Sequence, residues 1–493
     1  MKKGLNNNVL NNSNGSTVIG GSLLLATLIY IHLKKDKDEH FTSGFGFEMP
    51  DSVHPIFLNM YAQNLTKDFG LFDVIQHLKY SFFSPNLDKE ITVNRNMNPI
   101  VFIPGLGTSS IKGKWNKSDS KTVRSIEESE KWSCRQVQND WTKLWFPESD
   151  LNVKVSQYCW EDNVKVVFNN NRVENSEGVT TTVDNFGSVM FEPNSYLNNW
   201  LDSVKALGYR ENENLFGAAY DFRKICSLDE LNHYCMSLKQ LIERSVHLNG
   251  KQVVLVGHSL GSNLANYFLV SQSKEWKDRY INSFATFSGA FGGCPKALRT
   301  VLSGVDVTNK IEKDILKNIT KNFTGLQWML PVPGIYNDTP LVHYNNVSYS
   351  ASHITELLIM AGAPEAAAIY NNVVLPVHME SLKAPNVTVY TFSGTNLMTE
   401  SSYKYKDSLT DNPSKNYPYY QMNQAYANNS DYPEEFNGDG TIPHFALQFP
   451  LSWTTQQKEP IMYRFYNRAE HNDILNIEQP VKDFISVLKQ LQS

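Results

Sequence analysis

The sequence predicts an α/β fold, a mostly parallel sheet covered by helices on both faces, with a serine exposed where one strand gives way to a helix. Three observations lead there. Short apolar runs of strand length alternate with stretches of helical spacing. One of those runs ends in GHSLG, with the serine between two glycines, and another closes in PGLG. Downstream, two polar loops, FNGDGTIPH and YNRAEHNDIL, bring an aspartate and then a histidine after further strand-like runs.

The elements follow in order. NPIVFIPGLGTSS (98–110) reads as a buried strand entering a Gly-rich loop. YLNNWLDSVKAL (196–207) has helical spacing and stops at Gly208, a suitable C-cap. LFGAAYDF (215–222) is strand-like, and LDELNHYCMSLKQLIERSV (228–246) is an amphipathic helix. KQVVLV, the serine turn and SNLANYFLVSQ come next, then a strand at INSFATFSGA (281–290). NVTVYTFSG (386–394) and PIMYRFY (460–466) supply later strands. Residues 305–385 lack this rhythm and read as an insertion.

Composition bounds the partners. The 493 residues are 41% hydrophobic and 19% charged, with a net charge of -5. That describes a globular chain with a sizeable core and no pull toward polyanions, so nucleic-acid binding is not expected. The N-terminus is different in kind. An Asn-rich tail (1–16) precedes TVIGGSLLLATLIYIHL (17–33), an uncharged run closed by KKDKDEH. Seventeen residues in a helix span roughly 25 Å, close to the thickness of the endoplasmic reticulum bilayer. With no small-residue cleavage site after it, the run is expected to be a transmembrane signal anchor, and 34–96 a stalk or N-terminal extension. Lysines flank it on both sides, so charge does not orient it.

A lone G-x-S-x-G is weak, but here it joins a buried strand to a helix. A serine on such a turn takes strained backbone angles that push its hydroxyl out above the sheet. Side chains at Gly257 or Gly261 would collide across the bend. The hydroxyl becomes a nucleophile only when a histidine takes its proton and a carboxylate holds that imidazole. In the α/β-hydrolase fold the acid and then the base follow the serine along the chain. Asp439 and His471 fit that order after Ser259, with His444 and Asp473 as the nearest competitors. Backbone N–H groups of Leu106, in PGLG, and Leu260, after the serine, are expected to form an oxyanion hole. No ligand-spaced His/Cys/Asp cluster calls for a metal, and no organic cofactor is implied.

At these residues the sequence resembles the lecithin:cholesterol acyltransferase family, which includes lysosomal phospholipase A and the phospholipid:diacylglycerol acyltransferases. The likeness runs from about 98 to 490. It rests on NPIVFIPGLGTSSIKGK, GAAYDFRK, WKDRYINSFATFSGAFGG, NGDGT and EHNDIL. It implies an α/β-hydrolase domain over 97–490 with Ser259, Asp439 and His471 as catalytic triad and Leu106 and Leu260 as oxyanion donors. It also implies a membrane-binding subdomain at about 125–165 closed by a Cys134–Cys159 disulfide, and a cap at about 305–385. In the chain-entropy model a loop of that length adds roughly 3 kcal/mol. Trp132, Trp141, Trp145 and Phe146 crowd the subdomain as candidate lipid contacts, since large aromatics suit a lipid–water boundary. Cys226 and Cys235 could pair, leaving Cys294 free. One departure is visible: Gly289, Ala290, Phe291, Gly292 and Gly293 stand one residue shorter than the family's Gly-Ala-Pro-Trp-Gly-Gly.

The resemblance implies a serine acyltransferase or phospholipase A that takes an acyl group from a glycerophospholipid. The acceptor is a lipid alcohol, sterol or diacylglycerol, or else water. The expected setting is a membrane surface, with the catalytic domain luminal in the endoplasmic reticulum, because a disulfide needs an oxidising compartment. Two other readings are a membrane-tethered lipid-binding protein without turnover and a small-ester hydrolase or peptidase on the same scaffold.

Overall fold

The apolar runs pair into one six-stranded sheet: β1 Ile100–Ile103, β2 Leu215–Gly217, β3 Val253–His258, β4 Ile281–Phe287, β5 Thr388–Thr395 and β6 Ile461–Asn467. Their order across the sheet is β6-β5-β4-β3-β1-β2, and every pairing is parallel. This is an α/β-hydrolase-like arrangement, with the serine turn at the end of a central strand. The computed structural model describes residues 97–117, 137–145, 154–184, 186–189, 191, 196–304, 311–414 and 436–492. All of these belong to the compact unit Val93–Ser493. The tail, the expected anchor at 17–33 and the stalk at 34–96 lie outside the described residues. Among the described residues no helix is long and apolar enough to cross a membrane.

Central parallel strands are buried on both faces, which is why their sequences read as unbroken apolar runs rather than alternations. Ile100, Phe102, Val254 and Val256 face one side, against Trp200 and Val204 of α1 (Asn198–Ala206) and Phe484 and Leu488 of a C-terminal helix, Glu478–Gln492. Val101, Ile103, Val253 and Leu255 face the other, against Leu238 and Ile242 of α2 (Leu228–Asn249) and Leu264 and Phe268 of α3 (Leu260–Val270). Helix α2 ends at Gly250, whose φ of 67° is the left-handed cap conformation that glycine adopts without penalty.

The expected strand over 215–222 is shorter than its sequence pattern. Only Leu215–Gly217 pairs with β1, and Ala218 to Phe222 continue as buried loop. The Ala218 N–H still reaches the Phe102 carbonyl, but β1 itself ends at Ile103, and an ion pair follows. The Arg223 guanidinium grips the Asp221 carboxylate through Nε (2.9 Å) and Nη2 (2.6 Å). It also donates to the carbonyl of Val164 and to Asn175 and Thr181. The pair fastens this part of the chain to the segment 164–181.

Between β4 and β5 the chain forms a helical insertion, including Lys313–Thr320, Ile354–Met360, Pro364–Ile369 and Leu375–Glu380, with an antiparallel hairpin, Val342–Tyr344 and Val347–Tyr349. Ile315, Trp328, Leu330 and Leu357 from this insertion join the core on the α2/α3 side. A second small sheet sets Ile111–Asn116 between Val137–Trp145 and Val179–Val183, all antiparallel. In this region Trp132, Cys134 and Phe146 lie outside the described residues. Cys226 and Cys235 do not pair; both thiols are free, as is Cys294. The buried Cys226 thiol instead donates to the Thr324 carbonyl at 3.7 Å.

Removing Arg223 leaves Asp221 buried without its partner. Arg223→Leu is expected to cost about 3–5 kcal/mol at pH 7, read as a lowered urea midpoint. In the wild type, burial would raise the Asp221 carboxyl, but Arg223 and Lys224 outweigh it and hold the group below the usual carboxylate range. Its contribution is therefore complete above roughly pH 4 and is lost as pH falls through the folded value. The gap in stability between wild type and Arg223→Leu should narrow on acidification, and a constant gap down to about pH 2 would contradict this account.

Candidate active site

Ser259 stands between β3 and α3 with φ 52° and ψ -126°, a conformation a non-glycine residue adopts only when its surroundings impose it. The flanking glycines show what imposes it. A Cβ on Gly257 would lie 2.7 Å from Ser262 Cα, across the bend. One on Gly261 would lie 2.3 Å from the Ile103 carbonyl oxygen and 2.4 Å from that of Pro104. The second glycine is thus needed less for the bend than for the close approach of α3 to the end of β1.

Three distant segments meet at the serine hydroxyl. Ser259 Oγ donates to His471 Nε2 at 2.9 Å. His471 Nδ1–H donates to Asp439 Oδ2 at 2.7 Å. The other oxygen, Asp439 Oδ1, accepts from the backbone N–H groups of Thr441 (3.0 Å) and Ile442 (2.8 Å). The His471 N–H donates to the Asp439 carbonyl at 2.9 Å, which joins the two loops through their backbones. All three side chains are buried, with Asp439 wholly so. The carboxylate accepts a hydrogen bond from Nδ1–H and so keeps the ring proton there, leaving Nε2 as the acceptor that a serine hydroxyl needs.

The competitors are elsewhere. His444 accepts from Gln448 and contacts Thr395 and the Phe465 ring. Asp473 is exposed, and its N–H is held by the Glu470 carboxylate. Leu260 is the first residue of α3, where helix N–H groups have no intrahelical partner. Leu106 lies in the turn after β1, beside Gly107, whose φ of 81° excludes larger residues without strain.

That turn is held at four points. The Gly105 N–H donates to Tyr196 Oη (3.0 Å) and its carbonyl accepts from Thr108 Oγ1 (2.8 Å). Tyr220 donates to the Pro104 carbonyl (3.1 Å), and the Trp145 indole N–H to the Gly107 carbonyl (2.9 Å). Trp145 is therefore not a surface aromatic. It is 7% exposed and packs edge-on to Phe222 and Phe323. Trp141 on the same strand is 44% exposed, with the Lys114 ammonium over its ring.

The short Gly289–Gly293 loop passes beside the serine, with the Ala290 N–H donating to the Ser259 carbonyl at 3.3 Å. Phe291 turns inward against Phe449 and Trp453, and its carbonyl accepts from His378 Nε2 at 2.7 Å. A Cβ on Gly289 would lie 2.4 Å from the Phe291 ring, so this glycine is fixed by the phenylalanine. Sequence reasoning passed over Tyr196, His258 and His378. His258 carried a signal, since a titratable residue inside the serine motif needs a reason to be there.

Both of these histidines are buried and held neutral. Burial, with His471 adding to it, pushes His258 down to about 3, and burial pushes His378 down to about 4. An unfolded histidine binds its proton near pH 6.5, so stability is complete above that value and lost as pH falls toward the folded ones. Between about pH 6 and 4.5 each should cost about 1.4 kcal/mol per pH unit. His378→Gln is expected to flatten the slope of unfolding free energy against pH by about that amount; an unchanged slope would contradict the assignment.

The sequence profile described as lecithin:cholesterol acyltransferase matches residues 141–359. A mouse phosphatidylcholine-sterol acyltransferase is 25% identical over 417 residues, covering 82% of this chain and 88% of its own. A bovine lysosomal phospholipase A and acyltransferase is 24% identical, covering 76% of this chain and 87% of its own. A rice lecithin-cholesterol acyltransferase-like 1 is 26% identical, covering 64% and 72%.

Proposed function

We propose, for a chain that belongs to the lecithin:cholesterol acyltransferase family, that Ser259 takes an acyl group from a glycerophospholipid and passes it to a lipid alcohol or to water. The observation that carries this reading is the meeting of Ser259, His471 and Asp439 at hydrogen-bond distance from three separate segments. The named activities of the mouse and bovine relatives, transfer to sterol and phospholipase action, support the same chemistry.

In the first half-reaction Ser259 Oγ attacks the ester carbonyl carbon while its proton passes to His471 Nε2. The carbonyl oxygen becomes an oxyanion, stabilised by the Leu106 and Leu260 N–H groups. The ester C–O bond then breaks, and His471 returns the proton to the departing oxygen, releasing lysophospholipid. In the second half-reaction the acceptor hydroxyl gives its proton to His471 as its oxygen attacks the acyl-enzyme. The bond between the acyl carbon and Ser259 Oγ then breaks, releasing the new ester (or the fatty acid, with water), as His471 returns the proton to Oγ. Asp439 keeps the imidazole in the tautomer this cycle requires and stabilises the imidazolium that forms.

Sterol or water as acceptor accords with the relatives' names, and diacylglycerol stands as a further acceptor in this proposal. We also propose that residues 17–33 anchor the chain, that Cys134 and Cys159 close the segment carrying Trp132, Trp141 and Phe146 at the lipid surface, and that the domain is luminal in the endoplasmic reticulum. Trp145 serves the site differently, by holding the loop of Leu106. The exposed Trp141 ring supports contact with a lipid surface.

Vesicles of phosphatidylcholine labelled in the acyl chain test the reaction. Free labelled fatty acid is expected without an acceptor lipid, and labelled ester once sterol or diacylglycerol is added. Ser259→Ala should abolish both products with the melting temperature unchanged. Asp439→Asn should lower kcat by about 10⁴-fold, since an amide favours the wrong imidazole tautomer. Product from Ser259→Ala at the wild-type rate would sink the proposal.

A further inference from the structure

The residue before the nucleophile is itself part of a polar chain that joins two arms of the site. His258 is 2% exposed, and both ring nitrogens are engaged. Nδ1 faces Tyr196 Oη in a short hydrogen bond, and Nε2 faces the His471 carbonyl oxygen at 3.0 Å. The directions follow from the inventory of protons. The Gly105 N–H donates to Tyr196 Oη, so that hydroxyl has its own proton to give to His258 Nδ1. Nδ1 is then an acceptor, the ring proton sits on Nε2, and Nε2–H donates to the His471 carbonyl. Burial raises the Tyr196 phenol well above its ordinary value, which keeps that proton in place.

The ends of this chain are the two things an acyl-transfer site must hold in register. One end is the amide of Gly105, adjacent to Leu106. The other is the backbone of His471, the residue that takes the proton. The packing is tight around it: a Cβ on Gly105 would lie 2.9 Å from His258 Nδ1, 3.2 Å from Tyr196 Oη and 3.3 Å from Ser259 Cβ. The Tyr196 ring meets the His258 ring edge-on, and the His258 and His471 ring centroids are 5.3 Å apart. The Tyr196 carbonyl accepts from Asn476, five residues beyond His471.

We propose that His258 and Tyr196 are positioning residues that lock the oxyanion loop and the base at a fixed separation from Ser259 through the chain Gly105 N–H, Tyr196 O–H, His258, His471 carbonyl. The inference rests on Ser259 being the nucleophile, and it adds a reason for a histidine at that place in the motif. Neither residue touches the reacting atoms. Their effect is on geometry, so it falls on kcat, while substrate affinity, set elsewhere, stays as it is.

Full-length protein in phosphatidylcholine vesicles, with active enzyme counted independently by the amount of folded protein, separates the outcomes. Wild type and Ser259→Ala run beside the variants; an inactive wild type would count against the proposed function and not against this chain. Tyr196→Phe removes one hydroxyl and is expected to lower kcat by about tenfold to a hundredfold with KM within about twofold. His258→Gln retains a donor for the His471 carbonyl and loses the tyrosine bond. It should match Tyr196→Phe, and the double variant should be no slower than the slower single one, because both cut the same link. His258→Asn retains an acceptor for Tyr196 and loses the His471 link, so adding Tyr196→Phe to it should slow it further. An active wild type with kcat unchanged in Tyr196→Phe, or losses in Tyr196→Phe and His258→Gln that simply multiply, would overturn the inference. So would a loss that follows the folded fraction alone.

Discussion

The close approach of helix α3 to the end of strand β1 is the constraint on which the site depends. Hydrogen bonds of the β1–β3 ladder fix the two strands side by side, and the helix that leaves β3 must pass over the carbonyls of Ile103 and Pro104. Only a glycine at 261 admits that passage. Once it is made, Ser259 is held at positive φ and the start of α3 lies against the end of β1, with Gly105 of the following loop packed on Ser259 Cβ. Parallel strands add the rest: they deliver every following loop to the same edge, which is where open α/β sheets collect their functional residues.

The two loops that carry Asp439 and His471 are tied to each other before they are tied to the serine. The His471 N–H to Asp439 carbonyl bond and the two amides on Asp439 Oδ1 hold the aspartate without help from the histidine ring. The ring is then left with one orientation in which both of its nitrogens are satisfied. Preorganisation of this kind is set by backbone geometry and costs no rearrangement at the moment of reaction.

The strands of the central sheet, the serine turn and the choice of Asp439 and His471 as the residues that meet Ser259 were readable, because each has a local cause. Buried parallel strands need continuous apolar runs, a sharp strand-to-helix turn needs glycines, and a turn rich in Asp and Gly follows a strand for steric reasons. What was not readable depended on partners far along the chain. Trp145 reads from the sequence as a candidate lipid contact, and only the fold shows its indole N–H meeting the Gly107 carbonyl. LFGAAYDF has the composition of a long strand, yet its pairing stops at Gly217, where the neighbouring strand β1 also runs out. Cys226 and Cys235 are near in sequence but sit in different surroundings, one fully buried ahead of α2 and the other part-way along it. The insertion after β4 lacked the strand–helix rhythm because its helices, such as Ile354–Met360 and Pro364–Ile369, run for two turns or fewer.

The proposed reaction depends on the hydroxyl of Ser259 being made nucleophilic by His471. An alkyl fluorophosphonate reports this directly, since it reacts with a serine only where an adjacent base removes the proton, and it leaves a mass label on the peptide that was attacked. The expected result is a single adduct on the peptide containing Ser259, formed at least about a hundredfold more slowly in His471→Ala. An adduct on any other residue, or labelling of Ser259 at the same rate without the imidazole, would contradict it.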